Sequence, residues 1–213
     1  MLSKLKQFFL RKRENKEPED VRMNYLIVGL GNIGPEYAHT RHNMGFMVLD
    51  AWAQASDTVF SSRRYGDMAE ISYKGRKLYL LKPSTYMNLS GKAVRYWMTA
   101  LKLPVENLLV ICDDINLPFG TVRMRKKGRS GGHNGLENIE ALLQTQDYTR
   151  IRLGIGNEFH RDQQIDYVLG KLPPEQMDQM PALCKKVIDG IYSFVTIGPD
   201  RTMNSINSKD ERG

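Results

Sequence analysis

The feature that most constrains the fold is a short apolar run that passes directly into a glycine-rich segment. Residues 24–28 (NYLIV) are too short and too rich in β-branched side chains for a helix, so they predict a buried strand. Gly29 and Gly31 follow at once and let the backbone turn tightly. Because ligands of open α/β sheets bind beyond such strand ends, we expect Asn32 and His42 to flank a cleft.

The same segment matches a dinucleotide-binding fingerprint, with Gly29, Gly31 and Gly34 followed by Asp50. The context does not fit, because a proline and a glutamate follow the third glycine where a Rossmann fold has a small-residue helix. Asp50 also falls within residues 44–52, whose apolar spacing predicts a helix rather than the end of a second strand. A nucleotide-dependent oxidoreductase is therefore the least favoured function class, and a test of NAD binding would exclude it.

Further along the chain, apolar runs and helical periodicities alternate, which predicts a single three-layer α/β/α domain around a mixed twisted sheet. The expected elements are a hairpin at 68–73 and 76–81, helices at 89–102 and 135–144, strands at 108–112 and 151–155, and a helix at 174–195, interrupted or kinked near Pro181. This domain is expected to span residues 23–213, after a basic extension at residues 1–22 that is expected to be flexible.

Composition narrows the function classes without naming one. The chain has 213 residues and a formal charge of +7, which favours an acidic partner. Cys112 and Cys184 lie far apart and show no metal-site or disulfide spacing, so a reducing cytoplasm is expected. No apolar run reaches the length of about 18 residues that a membrane-spanning helix needs, so no membrane span is expected.

A cluster of cations marks one candidate surface. Five Lys and Arg residues and no acid fall within residues 123–129, which is equally compatible with a solvated loop. Alternation in residues 121–125 predicts a strand on which Arg123 and Arg125 point to the same face. Two adjacent guanidinium groups are well suited to hold phosphate.

Polar side chains gather where the predicted elements begin or end. The groups are Asn32 with His42, Asn88 with its neighbour Met87, Asp113, and the segment 130–135 (SGGHNG). Each has an ordinary structural role available: Asn88 as a helix cap, Asp113 as a turn cap, His133 as a hydrogen-bonded loop histidine, the last favoured over a catalytic role. The segment 130–135 opens a helix, where accessible amides favour an anion.

Taken together, these groups suit hydrolysis by an activated water. A histidine paired with a carboxylate can take a proton from water, and asparagine amides can donate to a developing oxyanion. No serine or cysteine stands in a nucleophile-elbow setting, and no metal-ligand spacing is present.

Five motifs follow one another along the chain: GLGNIGPEYAHTRHNMGF (29–46), KPSTYMNLSGKAV (82–94), CDDINLPFGTVRMRKKGRSGGHNGL (112–136), YTRIRLGIG (148–156) and MNSIN (203–207). In these motifs and their order, the chain resembles the bacterial-type peptidyl-tRNA hydrolase family from about residue 24 to residue 207. The resemblance implies cleavage of the ester between a peptide and the 3′-terminal ribose of tRNA, with no cofactor and no metal. The substrate would be peptidyl-tRNA, and the enzyme is expected to be a cytoplasmic monomer.

The resemblance also implies roles for individual residues. His42 would be the general base, Asp113 the carboxylate that keeps it basic, and Asn32 the sensor of the acylated amino group. Residues implied to contact the peptide and the 3′ end, or to line the cleft, are Tyr37, Tyr86, Met87, Asn88 and Asn134. Residues implied to grip tRNA phosphate are Arg123, Arg125 and Arg152.

The chain departs from the family pattern at three places, none of which includes a residue that is given a role above. Ile33 stands where proline is usual, Asn116 replaces a frequent aspartate, and residues 157–158 replace a common loop. A non-catalytic RNA-binding relative of the same fold is the alternative function, since a basic surface alone would serve it.

Overall fold

The computed structural model describes residues 23–208, and the predicted extension at residues 1–22 lies outside them. Seven strands form one sheet in the order β2-β3-β4-β1-β5-β7-β6. The strands are β1 (Asn24–Gly29), β2 (Ser61–Arg63), β3 (Gly66–Tyr73), β4 (Arg76–Pro83), β5 (Leu108–Asp114), β6 (Val122–Arg125) and β7 (Thr149–Gly154). The central pairs β4–β1, β1–β5 and β5–β7 are parallel, whereas the outer pairs β2–β3, β3–β4 and β6–β7 are antiparallel. The predicted mixed sheet and the 68–81 hairpin are confirmed.

Helices cover both faces of this sheet. They are α1 (Met44–Ala55), α2 (Ser90–Ala100), α3 (Asn134–Leu143), α4 (Gln164–Leu169), α5 (Pro174–Met177), α6 (Met180–Ile197) and α7 (Pro199–Ile206). Alternate residues of β5 point to opposite layers: Leu109 and Ile111 pack with α1 and α6, while Leu108 and Val110 pack with α2 and α3. Each fully buried leucine, isoleucine or valine side chain contributes about 1.5–3 kcal/mol. Helices packed on both faces of one mixed sheet confirm the predicted three-layer α/β/α domain.

The long helix expected at 174–195 is divided into α5 and α6, as the predicted interruption required. The break falls at residues 178–179, just before Pro181. That proline sits in the first turn of α6, where its missing N–H leaves no hydrogen bond unmade. Within residues 23–208, no helix has both the length and the apolar character needed to cross a membrane.

The glycine segment after β1 does not open a helix. Two short 3₁₀ turns, Pro35–Tyr37 and Arg41–Asn43, separate β1 from α1, and Asp50 lies on α1. The strand–turn–helix arrangement of a dinucleotide site is therefore missing here. Gly29 instead allows helix α1 to pack closely on β1. A Cβ at this position would lie 2.3 Å from the carbonyl oxygen of Gly45, so only a residue without a side chain leaves room for the contact between the two backbones.

Candidate active site

The candidate site lies at the carboxyl ends of the central strands, where three segments converge. The turn Arg41–Asn43 carries His42, the end of β5 carries Asp113, and the residue before α3 is His133. Asp113 belongs to β5 itself, whereas the sequence placed it just after the strand. The C-terminal end of α4 anchors the turn that carries His42, because the Arg41 N–H donates to the carbonyl of Gly170, the residue just after this helix, at 3.0 Å.

Two histidines share one carboxylate oxygen at this site. His42 Nδ1 lies 2.8 Å from Asp113 Oδ1, and His133 Nε2 lies 3.1 Å from the same oxygen. The three side chains are largely buried, with exposures of 10%, 2% and 9% for His42, Asp113 and His133. His133 is a hydrogen-bonded histidine in the loop before α3, as the sequence interpretation had it, and one of its partners is the candidate catalytic carboxylate.

The hydrogen-bond partners of each ring determine which of its nitrogens carries hydrogen. His133 Nδ1 accepts from the N–H groups of Gly135 and Leu136, at 3.1 and 3.4 Å, and so caps α3. Its Nε2 must then carry the hydrogen that it donates to Asp113. His42 donates from Nδ1 to the same carboxylate, which leaves its Nε2 lone pair free to accept a proton.

Electrostatics in this trio favour a charged carboxylate and a basic imidazole. Burial alone would raise the pKa of Asp113, but the charges and hydrogen bonds of His42 and His133 outweigh it and hold the pKa well below its usual range. Burial lowers the pKa of His42, yet the Asp113 charge and hydrogen bond leave it raised above its ordinary value. The geometry thus stabilises the imidazolium that forms when His42 takes a proton.

The same trio has the donor types of a metal site, because its ligand atoms all lie within 4.8 Å of one another. The hydrogen bonds oppose that use. For His133 to bind a metal through Nε2, the ring would have to move its proton to Nδ1 and abandon the two backbone N–H groups of α3. The arrangement fits a hydrogen-bonded network.

Asn32 is held rigidly beside this network. Its N–H donates to Asn43 Oδ1 at 2.8 Å, and Asn43 Nδ2 returns a bond to the Asn32 carbonyl at 2.9 Å. The Met87 N–H donates to Asn32 Oδ1 at 2.8 Å, so the amide oxygen is occupied. Within residues 23–208, Asn32 Nδ2 has no acceptor and is available to donate to a ligand. Sequence reasoning missed Asn43, although its position next to His42 was a usable signal.

The other predicted contact residues divide between the cavity and its surroundings. An open cavity is lined by His42, Asp113, Asn134 and Arg152, with the segment 130–132 on one side. The remaining residues lie outside this lining: Tyr37 is half-buried in the turn Pro35–Tyr37, and Met87 is buried against α3.

Two side chains of the segment that follows β4 are open to solvent. Tyr86 is 61% exposed, and Asn88 is exposed in the turn Met87–Leu89. The cap of α2 is Leu89 and forms no side-chain cap bond, so the interpretation of Asn88 as a helix cap is wrong.

The three candidate phosphate ligands lie on β6 and β7. Val122 and Met124 are buried while Arg123 and Arg125 point the other way, as the alternation predicted. The registers pair Arg123 with Arg152 across the two strands.

Two of these arginines already have protein partners. Arg123 Nη1 donates to the Asn207 carbonyl at 3.0 Å, and Arg152 Nη1 lies 2.6 Å from Asp114 Oδ2. Arg125 is exposed and forms no ion pair within residues 23–208. An incoming phosphate could therefore bind Arg125 without displacing a carboxylate, but it would compete with Asp114 for Arg152.

An α/β fold with a buried histidine–aspartate pair against an open cavity fits an enzyme of the hydrolase class. A family model described as peptidyl-tRNA hydrolase matches residues 26–213. The chain belongs to the peptidyl-tRNA hydrolase family.

Individual relatives agree over nearly the whole chain. Peptidyl-tRNA hydrolases of Cytophaga hutchinsonii and Phocaeicola vulgatus are 55% and 57% identical over 187 residues, which are 88% of this chain and 100% of each relative. A crystal structure of peptidyl-tRNA hydrolase from Acinetobacter baumannii matches with a TM-score of 0.82 and 30% identity, covering 90% of this chain and 97% of that one.

Proposed function

We propose that this chain hydrolyses the ester of peptidyl-tRNA and releases the peptide and the tRNA. The observation that carries the proposal is the His42–Asp113 contact of 2.8 Å, which leaves the Nε2 atom of His42 free as a base. Membership of the family supplies the substrate class. General-base catalysis of this kind contributes about 10²–10⁴-fold.

In this mechanism, His42 Nε2 takes a proton from a water while the water oxygen attacks the ester carbonyl carbon. Asp113 holds the ring through Nδ1 and stabilises the positive charge that develops on it. The tetrahedral intermediate collapses by breaking the bond to the ribose oxygen, and the proton held by His42 passes to that oxygen. The pair is then ready for another water, with no covalent enzyme intermediate.

Substrate contacts follow from the groups that remain free. Asn32 Nδ2 would donate to the carbonyl that blocks the terminal amino group, so that free aminoacyl-tRNA is spared. Asn134 and Asn88 would hold the 3′ end and the peptide, with Tyr37, Tyr86 and Met87 forming the wall of the cleft. Each is a proposal from the resemblance and from its place near the carboxyl ends of the strands.

Arg123, Arg125 and Arg152 would hold tRNA phosphates from the β6–β7 edge of the sheet. Contacts to phosphate give affinity without reading sequence, which suits an enzyme that accepts many tRNAs. We further propose that the chain works as a monomer in the cytoplasm and needs no metal. The buried, unpaired thiols of Cys112 and Cys184 are compatible with a reducing compartment.

The experiment is hydrolysis of N-acetylaminoacyl-tRNA and of the unblocked aminoacyl-tRNA by the wild type, by His42→Ala and by His160→Ala. His160 is an exposed histidine outside the cavity lining and serves as the matched control. We expect the wild type and His160→Ala to cleave only the blocked substrate, and His42→Ala to lose nearly all turnover while it still binds tRNA. Tight, salt-sensitive tRNA binding without turnover by the wild type would support the RNA-binding alternative instead.

A further inference from the structure

A cluster of exposed cations and aromatic rings lies at the tip of the β2–β3 hairpin and on the adjacent face of α2. The proposed chemistry makes no use of it. We call this cluster the basic–aromatic patch, and it consists of Arg63, Arg64, Tyr65, Lys92, Arg95 and Tyr96.

The patch is held together by stacking rather than by ion pairs. The Arg64 guanidinium lies 5.2 Å from the ring centroid of Tyr65 and 5.1 Å from that of Tyr96. The two rings meet edge to face with centroids 5.5 Å apart. The Trp97 Nε1–H donates to the Arg64 carbonyl at 2.9 Å and ties the hairpin tip to α2.

At the tip of the β2–β3 hairpin, the backbone of Tyr65 adopts a conformation that is unusual for a residue with a side chain. Tyr65 adopts a φ of 63°, in the left-handed region where glycine or asparagine is usual in a hairpin turn. Such strain is concentrated at functional sites in proteins. The Tyr65 ring lies at the surface, where it packs against Arg64 and Tyr96.

The charges of the patch are not neutralised. Arg63, Arg64, Lys92 and Arg95 are exposed, and none pairs with a carboxylate among residues 23–208. By contrast, Lys77 on β4 pairs with Glu70 and Lys82 pairs with Asp50. Four exposed cations, one of them stacked on two tyrosine rings, are chemically complementary to carboxylates.

Hydrogen bonds connect the patch to the candidate active site. The Ser84 N–H donates to the Tyr65 carbonyl at 2.9 Å, and three residues later the Met87 N–H donates to Asn32 Oδ1. In the sheet order, β3 stands three strands from β5, which carries Asp113. At about 4.8 Å per strand the separation is about 14 Å, or about four residues of extended peptide.

We propose that the basic–aromatic patch is a subsite for acidic residues of the peptidyl chain, about four residues from the ester. This inference rests on the proposed function. The arginines that are proposed to bind tRNA phosphate, Arg123, Arg125 and Arg152, lie at the β6–β7 edge of the sheet, whereas the patch lies at the β2–β3 edge. Because the ester sits between these edges, the RNA occupies one side and the peptide must leave towards the other.

The test compares N-acetylated hexapeptidyl-tRNAs that share one tRNA and one C-terminal residue. They carry either glutamate or glutamine at the positions about four residues from the ester. We expect wild-type kcat/KM to be roughly twofold to fivefold higher for glutamate at low salt, as surface ion pairs allow. Arg64→Gln with Arg95→Gln should abolish the preference, yet should hydrolyse N-acetylaminoacyl-tRNA, which is too short to reach the patch, at the wild-type rate.

The matched control is Lys74→Gln with Arg76→Gln, which removes two cations from the opposite end of the β3–β4 hairpin and should keep the preference. Equal turnover of both peptides by the wild type would overturn the subsite, as would equal loss of preference in the control. A patch variant that binds deacylated tRNA more weakly would show that the patch holds RNA instead. Failure of the wild type to cleave N-acetylaminoacyl-tRNA would refute the proposed function, and the subsite with it.

Discussion

Replacing Asp113 by asparagine tests the proposed division of labour within the histidine–aspartate pair. The amide keeps the shape of the carboxylate and an oxygen near His42 and His133, but removes the charge. With the contact at 2.8 Å, the centres of the two delocalised charges lie about 4 Å apart, which corresponds to about 4 kcal/mol at an effective dielectric constant of about 20. If half of that charge has developed in the transition state, the loss is about 2 kcal/mol, or roughly 30-fold in kcat/KM.

The pH dependence of activity gives an independent test of the role of Asp113. His42 must be neutral to act, so activity rises as pH rises through its pKa, which is raised above the ordinary value in the wild type. In Asp113→Asn the charge of Asp113, the larger of the two causes that raise the pKa, disappears, whereas burial, which lowers the pKa, remains. The acidic limb of the profile should therefore move to lower pH while the plateau falls.

The assay is kcat/KM for N-acetylaminoacyl-tRNA from about pH 5 to about pH 9, with His160→Ala as the control for an unrelated histidine. A variant whose plateau matches the wild type, or whose acidic limb moves to higher pH, would refute the assigned role of Asp113. Turnover by His42→Ala equal to that of Asp113→Asn would also contradict the proposal, because the base should matter more than its partner.

Three further substitutions probe the packing and the RNA surface. Gly29→Ala places a Cβ 2.3 Å from the Gly45 carbonyl oxygen, so thermal unfolding should show a loss of about 1–3 kcal/mol together with reduced activity. Asp114→Asn removes the charge that holds Arg152 at 2.6 Å, so deacylated tRNA should bind several-fold more tightly in a filter-binding titration. Arg125→Gln should raise KM with little change in kcat, and should reduce the slope of log affinity against log salt by about 1.

The strands that carry the site could be predicted because they leave local signals. β1 and β5 are continuous apolar runs buried on both faces, and the β3–β4 hairpin alternates around Lys74 and Gly75. The edge strand β2 gave no such signal, because its residues, Ser61–Arg63, are all exposed. Helix α4 is six residues long and has no buried residue, so no apolar period announced it.

Long-range pairing explains what the sequence did not reveal about the site. His133 and Asp113 are twenty residues apart, and Arg152 and Asp114 thirty-eight, so neither contact follows from local periodicity. The position of His133 just before a helix was visible, and a capping role through one ring nitrogen was a possible inference. What its other nitrogen contacts depends on how β5 and α3 pack together.

That packing gives the site its rigidity. Asp113 stands on the central strand, and its single oxygen accepts from a histidine before α1 and from another before α3, which lie on opposite faces of the sheet. The carboxylate therefore links both helical layers to β5, and neither helix can shift without lengthening a charge-assisted hydrogen bond worth about 1.5–3 kcal/mol. In the proposed mechanism His133 acts through Asp113 rather than on the substrate, since its second nitrogen accepts from Gly135 and Leu136. Among residues 23–208, His42 Nε2 is the ring nitrogen of these two histidines that has no hydrogen-bond partner, which is why the proposal assigns it the role of base.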